Sequence, residues 1–418
     1  MTEYGSKSVA VVDNGLFLEL SRTLAASFGK VYYTSNWVAS FPKSSHYELG
    51  EGYAEIERVD DIWDIVNDVD LFVFPDIYQG NLQRYLVDQG KRVFGSRNGD
   101  EIETLRIDAK THFQSLGIPV APYEVVTGLE NLRKYIKSRG DEKLWVKIEL
   151  TRGDTETFCS EGYDYIKNKL DELAGRLGPT AEKMDFLVED HISDSIELAI
   201  DTFCIDGQYP NLGQLGLEKK DEGYACVVKP WKEQPEALRD VYEKIAPTMK
   251  EYQFRNFFSL ECPIREKDIW IGDPCCRCGS PLMELQMRMI DNIPEILWEG
   301  ADGNLVEPKY NSRFGFETVI ESCWAKDHPL LLKFPDKYRD QIKLHYAAEY
   351  EDGTWILPQN EDVSVGAIVA CGDSLEECFE EVKEIAGEVK GIQVETYGRC
   401  IDGITKSIEE LGQWGVRF

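Results

Sequence analysis

Cationic side chains are scarce in this chain: 46 Lys and Arg stand against 76 Asp and Glu, a formal net charge of −30. A field of that sign repels nucleic-acid backbones, so bulk DNA or RNA binding is not expected. Histidine is scarcer still, with five dispersed residues, which is thin material for a zinc centre. Cysteine is absent before Cys159, and the 11 thiols from there to Cys400 are odd in number. Reduced thiols in a cytoplasmic protein are the expectation. No apolar run reaches membrane-spanning length, and Met1-Thr-Glu-Tyr-Gly-Ser-Lys7 lacks the apolar core of a signal peptide, so no membrane partner is expected. The first strand does not lead into G-x-G-x-x-G, which argues against a dinucleotide cofactor. Internal repeats and low-complexity tracts are missing too.

What is present is globular in kind. The 418 residues are 42% hydrophobic and 11% aromatic, enough for two or three domains with ample core. Residues 8–12, 30–34, 70–74 and 92–94 read as strands, alternating with helical patterns over 16–28, 62–66 and 81–89. That alternation predicts a parallel sheet, with ligand groups at the carboxyl ends of its strands. Asp13, Asn14, Gly15, Asp76 and the turn at 95–98 fall on that rim. A helix over 100–116 carries Arg106 and Lys110 four apart, on one face. Strand 122–127, helix 129–138 and strand 144–148 follow. The last of these, Leu-Trp-Val-Lys-Ile, holds Lys147 among apolar residues. Burying an unpaired ammonium is costly, so Lys147 either snorkels to the strand edge or serves a site. After a polar loop at 151–157 and a long helix to about 177, strands at 185–188 and 197–205 flank Glu189-Asp190-His191. Lys219-Lys220-Asp-Glu-Gly223 is a charged turn.

The densest chemistry lies between Phe257 and Pro281. Phe257-Phe-Ser-Leu-Glu261 and Ile269-Trp-Ile-Gly-Asp273 are apolar runs, each closed by an acid, which can face one another across a hairpin. Facing carboxylates make a hard-cation site, and Mg²⁺ takes one or two carboxylates plus phosphates. Arg277 is placed as an anion clamp, ahead of the turn Gly279-Ser280-Pro281. The stretch reads as a nucleotide-phosphate and metal site. Cys275-Cys-Arg-Cys278 also contains one C-x-x-C, with Cys262 as a third thiol, but four-coordinate zinc needs more, and packed thiols are the simpler reading. A helix after Pro281 is expected to continue through 293–298. From about residue 324 the composition is loop-rich, and the chain closes with strand 363–371, helix 375–386, strand 391–394 and helix 404–411.

Taken in order, these residues resemble the ATP-grasp superfamily, and within it the phosphoribosylamine–glycine ligase (glycinamide ribonucleotide synthetase) family. Phe94-Gly-Ser96, Leu105 to Phe113 and Leu116-Gly-Ile-Pro119 are similar to the family's entry helix, whose phosphate-binding lysine corresponds to Lys110 or Arg106. Trp145-Val-Lys147-Ile resembles the strand whose lysine contacts the α- and β-phosphates. Phe186 to Ile192 resembles the linker that reads adenine, which places Glu189, Asp190 and Ile192 there. Glu197 matches the ribose acid, Lys219-Lys220 a basic loop, and Glu261 and Asp273 the Mg²⁺ carboxylates. Arg277-x-Gly279 resembles the family's Arg-Phe-Gly, and Val365 to Glu377 its C-terminal subdomain. The resemblance implies an α/β and α+β chain with the ATP-grasp fold. An N-terminal parallel-sheet (pre-ATP-grasp) domain would span 1–98, and the ATP-grasp domain 99–322, with a small lid module at about 120–192. A C-terminal α+β subdomain would span 323–418.

Three departures accompany it. The glycine-rich phosphoribosyl loop is replaced by Asp13-Asn-Gly-Leu-Phe-Leu-Glu19. The flexible loop's lysine gives way to Arg152-Gly-Asp-Thr-Glu-Thr157. The Asn that follows the metal acid by two is Cys275, a poor Mg²⁺ ligand. The implied activity is that of an ATP-dependent carboxylate–amine, or carboxylate–nucleophile, ligase working through an acylphosphate. ATP and magnesium are the implied cofactors, with manganese as the alternative ion. Arg277 and Arg152 would act on the transferring phosphoryl group, Asp13 and Asp76 would orient the amine, and Gly279 and Ser280 would hold the carboxylate. Glycine is the acid the resemblance favours, and a monomer or homodimer the expected state. The alternative is a catalytically inactive nucleotide-binding protein, for which Cys275 is the support.

Overall fold

Apolar strands separated by amphipathic helices can bury both faces of a sheet only if helices cover it, and the first hundred residues do this. The computed structural model describes residues 4–35, 48–149, 157–220, 222–358, 363–396 and 400–418. Its first sheet orders Glu57–Arg58, Phe28–Thr34, Tyr4–Val12, Leu71–Val73 and Arg92–Phe94, all parallel. Val9, Ala10, Val11, Leu71, Phe72 and Val73 have no exposed surface, as a sheet covered on both faces requires. Asp13 and Asp76 stand just past the carboxyl ends of two adjacent strands, on the expected rim.

The largest sheet is antiparallel. Among the described residues its strand order is Asp268–Ile269, Arg255–Arg265, Ile196–Ile205, Leu212–Lys219, Gly223–Pro230, Phe314–Ser322, Ser364–Gly372 and Ile342–Leu344. Asp273–Cys275 pairs with Arg255–Arg265, and Val394–Thr396 with Phe314–Ser322. A hydrophobic core joins this sheet to the parallel one: Phe94 meets Phe257 edge-on at 6.2 Å, and Phe257 meets Phe203 at 6.0 Å. Each ring with no exposure contributes roughly 1.5–3 kcal/mol of burial. A separate four-stranded sheet, Tyr123–Thr127, Asp185–Asp190, Leu144–Ile148 and Thr157–Ser160, packs helices Leu129–Ser138 and Tyr163–Leu177 on its own core of Leu132, Ile136, Val146, Leu170 and Phe186.

Four local expectations change, one of them the strand expected at 391–394, which is Val394–Thr396 after a turn. The helix over 100–116 is two helices, Glu101–Thr104 and Arg106–Ser115, parted at Leu105, whose ψ of 70° is not helical. The helix after Pro281 is Met283–Met289, and Ile290 leaves it to bridge Tyr310 before Ile293–Ala301 begins. The loop-rich stretch after 324 contains a small antiparallel sheet of Leu330–Leu332, Gly353–Ile356 and Ala347–Tyr350. No helix among the described residues is long and apolar enough to cross a membrane.

Candidate active site

Two runs of alternating side chains make the hairpin at the centre of the site. Arg255–Arg265 and Asp273–Cys275 are antiparallel, with Glu261 directly opposite Asp273 and Ser259 opposite Cys275. Gly272 N donates to Glu261 O at 2.8 Å and fixes that register. The two acids expected to face one another do so, and opposed side chains in such a pair lie about 5 Å apart at Cβ.

Lysines reach this hairpin from the four-stranded sheet and the Arg106–Ser115 helix. Lys147 Nζ lies 2.6 Å from Asp273 Oδ1 and 2.8 Å from Glu189 Oε2. Lys110 Nζ lies 2.5 Å from Glu189 Oε1 and donates to Ile271 O and Gly272 O, each at 3.0 Å. Both ammonium groups are buried, so Lys147 does not snorkel to water. Arg106 is buried alongside and donates to Ile148 O at 2.5 Å. The charges settle each other's protonation. Desolvation opposes ionisation of Asp273, but Lys147, Arg106 and Lys110 outweigh it and hold the carboxyl well below its usual range. Desolvation likewise opposes the Lys147 ammonium, and Asp273 and Glu189 override it, raising its pKa. Lys110 is lowered, because burial and the neighbouring Lys147 outweigh Glu189.

The adjoining face of the large sheet is acidic. Period-two alternation brings Glu197, Glu218 and Glu261 to one side of three neighbouring strands, with carboxylate oxygens within 4.8 Å of one another. Desolvation, then Glu261 and Glu218, push Glu197 well above the ordinary carboxylate range. Desolvation also raises Glu261, against Lys220. Lys220 continues the Glu218 face, and the fields of Glu261 and Glu218 raise its ammonium well above normal. These groups line a cavity of about 100 Å³. At its floor Asp201 accepts from Ser259 Oγ at 2.6 Å and from Tyr224 OH at 2.5 Å, and burial pushes it up to about 6. A Cβ at Gly216 would overlap both Asp201 and Tyr224, so glycine is what leaves this floor open.

Arg277 stands at the other end of the hairpin, on the cavity wall. Its Nε is 3.0 Å from Glu103 Oε1 and 3.7 Å from Asp76 Oδ1. Despite desolvation, Glu103, Cys275 and Asp76 keep it charged. The rim of the parallel sheet grips this turn: Cys278 N donates to Pro75 O at 2.9 Å, and Cys276 N donates to Glu103 Oε2 at 2.8 Å. Asp76 is thereby brought to Arg277, while Asn14 donates to its other oxygen at 3.2 Å. Asp13 sits deeper, where one oxygen accepts from Gly15 N, Phe17 N and Tyr33 OH, and burial pushes the carboxyl up to about 6. Gly279 and Ser280 line the cavity beside Arg277. Burial raises the Cys275 thiol to about 12, and the neighbouring thiols of Cys276 and Cys278 are buried and free.

The remaining expected residues lie outward. Asp190 pairs with Arg139 at 2.8 Å. Ile192 follows the Glu189 strand, its carbonyl accepting from Ser195 Oγ at 2.8 Å. Lys219 points away from Lys220, its stem passing Gly403. Arg152 lies outside the described residues. Sequence reasoning missed Glu103, Asp201, Glu218 and Tyr224. The Gly216–Glu218–Lys220 alternation could have revealed Glu218. Nothing local marks Glu103, whose partner is 174 positions away.

The chain matches no protein-family model and no curated protein. Solved structures do match. Phosphoribosylamine–glycine ligase from Thermotoga maritima superposes with a TM-score of 0.69 at 15% identity, over 93% of this chain and 98% of that one. Biotin carboxylase from Campylobacter jejuni, solved as a β,γ-ATP complex, gives 0.65 at 14% identity, over 93% of each chain. The biotin carboxylase domain dimer of Hydrogenobacter thermophilus 2-oxoglutarate carboxylase, solved with MgADP and bicarbonate, gives 0.65 at 13% identity, over 93% of this chain and 91% of that one. The fold is that of the ATP-grasp enzymes.

Proposed function

We propose that a chain with this fold and this arrangement of charges is an ATP-dependent ligase joining a carboxylate to an amine through an acylphosphate, with release of ADP and phosphate. The observation that carries the reading is the pairing of Glu261 with Asp273 in strict opposition, with Lys147 delivered to Asp273 from a different sheet. Lysines whose charge is met by carboxylates, Glu189 for both and Asp273 for Lys147, are poised to exchange those partners for phosphate oxygens. The nucleotide and MgADP in the similar structures support the same reading.

In this scheme Lys147, with Lys110 or Arg106, takes the α- and β-phosphates. The Glu189–Ile192 strand end with Asp190 lies along the adenine, and Glu197 takes the ribose, with Lys219 and Lys220 at the neighbouring turn. The donor set fits a hard divalent cation: oxygen ligands only, carboxylates in excess, and desolvated acids whose charge a cation would relieve. Glu261 and Asp273 would hold Mg²⁺, or Mn²⁺ in its place, and Glu218 lies within reach as a further oxygen donor where Cys275 offers none. When bound, the ion would neutralise phosphate charge. Arg277, kept charged and aimed by Glu103, stabilises the transferring phosphoryl group, and Arg152 is the second cation that the family resemblance assigns to that step. Asp76, beside Arg277, orients the amine, with Asp13 behind it. Glycine or another amino acid is the candidate acid, held by the backbone amides of the Gly279–Ser280 turn.

Lys147→Ala and Asp273→Asn are each expected to lower ADP release by about 100-fold or more, read in a coupled ADP assay over mixed amino acids and amines. Wild-type rates in either variant would sink the site. Cys275 favours a second reading, a nucleotide-binding protein without turnover. Tight ATP binding by calorimetry with no ADP release from any acid–amine pair would select it.

A further inference from the structure

An amine that attacks an acyl carbon must give up a proton, and a positioned acceptor accelerates that step. Ser280 lines the cavity beside Arg277 and Glu261. Its hydroxyl has a single proton, which it donates to Glu284 Oε1 at 3.0 Å. What Ser280 has left to offer the cavity is its lone pairs, which suit an N–H donor and not a carboxylate. Behind it, Glu284 and His345 are 2% and 3% exposed. His345 Nε2 lies 2.5 Å from the same Oε1, which as a carboxylate oxygen can only accept from an Nε2–H, and Nδ1 lies 3.3 Å from Ser364 Oγ. Glu284 Oε2 makes no hydrogen bond among the described residues. A buried carboxylate oxygen left without a donor is costly, and it calls for a reason other than scaffolding. Anchoring of the Met283–Met289 helix falls to the neighbouring Glu317, which accepts from Leu282 N at 3.4 Å.

We infer that Ser280, Glu284 and His345 form a proton relay that accepts the proton of a primary-amine nucleophile in the cavity. The inference rests on the ligase reading and adds to it a base and a substrate polarity. As the amine nitrogen bonds to the acyl carbon, the carbon–oxygen bond to phosphate breaks and its electron pair leaves with inorganic phosphate. The amine's proton passes to Ser280 Oγ while the hydroxyl's own proton passes to Glu284. His345 Nε2–H stabilises the carboxylate before transfer, and the departing phosphate takes the proton when the relay resets. Ser280 is the catalytic residue, and Glu284 and His345 act through it. The other titratable groups facing Glu284 are Glu317, from the Phe314–Ser322 strand, and Cys278, from the hairpin turn. His345 also meets the Tyr346 ring edge-on.

The test compares two nucleophiles on the full chain with ATP, Mg²⁺ and pooled amino acids as carboxylates. One is an amine pool of amino acids and ammonia. The other is hydroxylamine, which is largely unprotonated at neutral pH and needs no base. Glu284→Gln, His345→Gln and Ser280→Ala are each expected to lower amine-dependent ADP release about 100-fold or more. Hydroxylamine should rescue them to within roughly three-fold of wild type, because it bypasses the general base. Ser280→Ala, at a partly exposed position, guards against misfolding of the two buried variants. Equal losses with both nucleophiles would reduce the relay to scaffolding and overturn it, as would unchanged amine turnover. Wild-type protein that forms no hydroxamate sinks the ligase reading, and the relay with it. Wild-type hydroxamate beside uniformly impaired variants sinks the relay alone.

Discussion

Lys147 shows how a single residue can break a local rule for a reason that lies elsewhere. An ammonium in an apolar strand is a conflict at the level of Leu144–Ile148, and it is resolved by Asp273 and Glu189, which arrive from two other strands. The acids beside it are a conflict left unresolved. Glu197 and Glu261 titrate higher in the folded protein than the ordinary value of 4.5, chiefly because of desolvation. The folded state therefore holds protons that the unfolded chain releases. The stability tied to these groups is complete below the unfolded value and is lost as pH rises through the folded one. A divalent cation bound at these acids, as proposed, would take the proton's place. Mg²⁺ is thus expected to raise the melting temperature more at pH 8 than at pH 5, and Glu218→Gln to shrink that gain. Differential scanning fluorimetry at the two pH values checks this, and an equal shift at both would separate the cation from these acids.

At the scale of elements, local sequence says most where periodicity is long. Leu129–Ser138 and Leu375–Ala386 run over the ranges their patterns predict. The second begins with a cap visible in the sequence: Ser374 accepts from Glu377 N at 3.3 Å, and the Glu377 side chain accepts from Asp373 N at 3.2 Å. Ser374→Ala is expected to cost about 1 kcal/mol in chemical denaturation and to leave ADP release unchanged. A larger loss would mean that the hydroxyl supports more than its helix. Short elements escaped. Leu330–Leu332 and Ala347–Tyr350 are too brief to show alternation, and they become strands only because Gly353–Ile356 lies between them. Facing acids were foreseen at Glu261 and Asp273 because a hairpin is local. Glu218 was not, because its neighbours are fixed by the order of strands in the sheet.

Over the whole molecule, 76 acidic against 46 basic side chains leave repulsion that compactness makes worse. Salt screens exposed charges, with a Debye length of about 30 Å at 0.01 M falling to about 8 Å at 0.15 M. The melting temperature is expected to rise with NaCl across that range, by calorimetry. A fall would show that the ion pairs around Lys147 and Arg277 outweigh the general repulsion. The sequence by itself determined the kinds of the longer elements, the parallel character of the first sheet and the acid-bearing hairpin. Each follows from composition, or from residues a few positions apart. Only the tertiary structure decided which charges meet. Glu103 reaches Arg277 across 174 positions and His345 reaches Glu284 across 61. Partners at that separation are chosen by the layering of sheets and helices, which local spacing does not encode, and their protonation is set by the burial that layering creates.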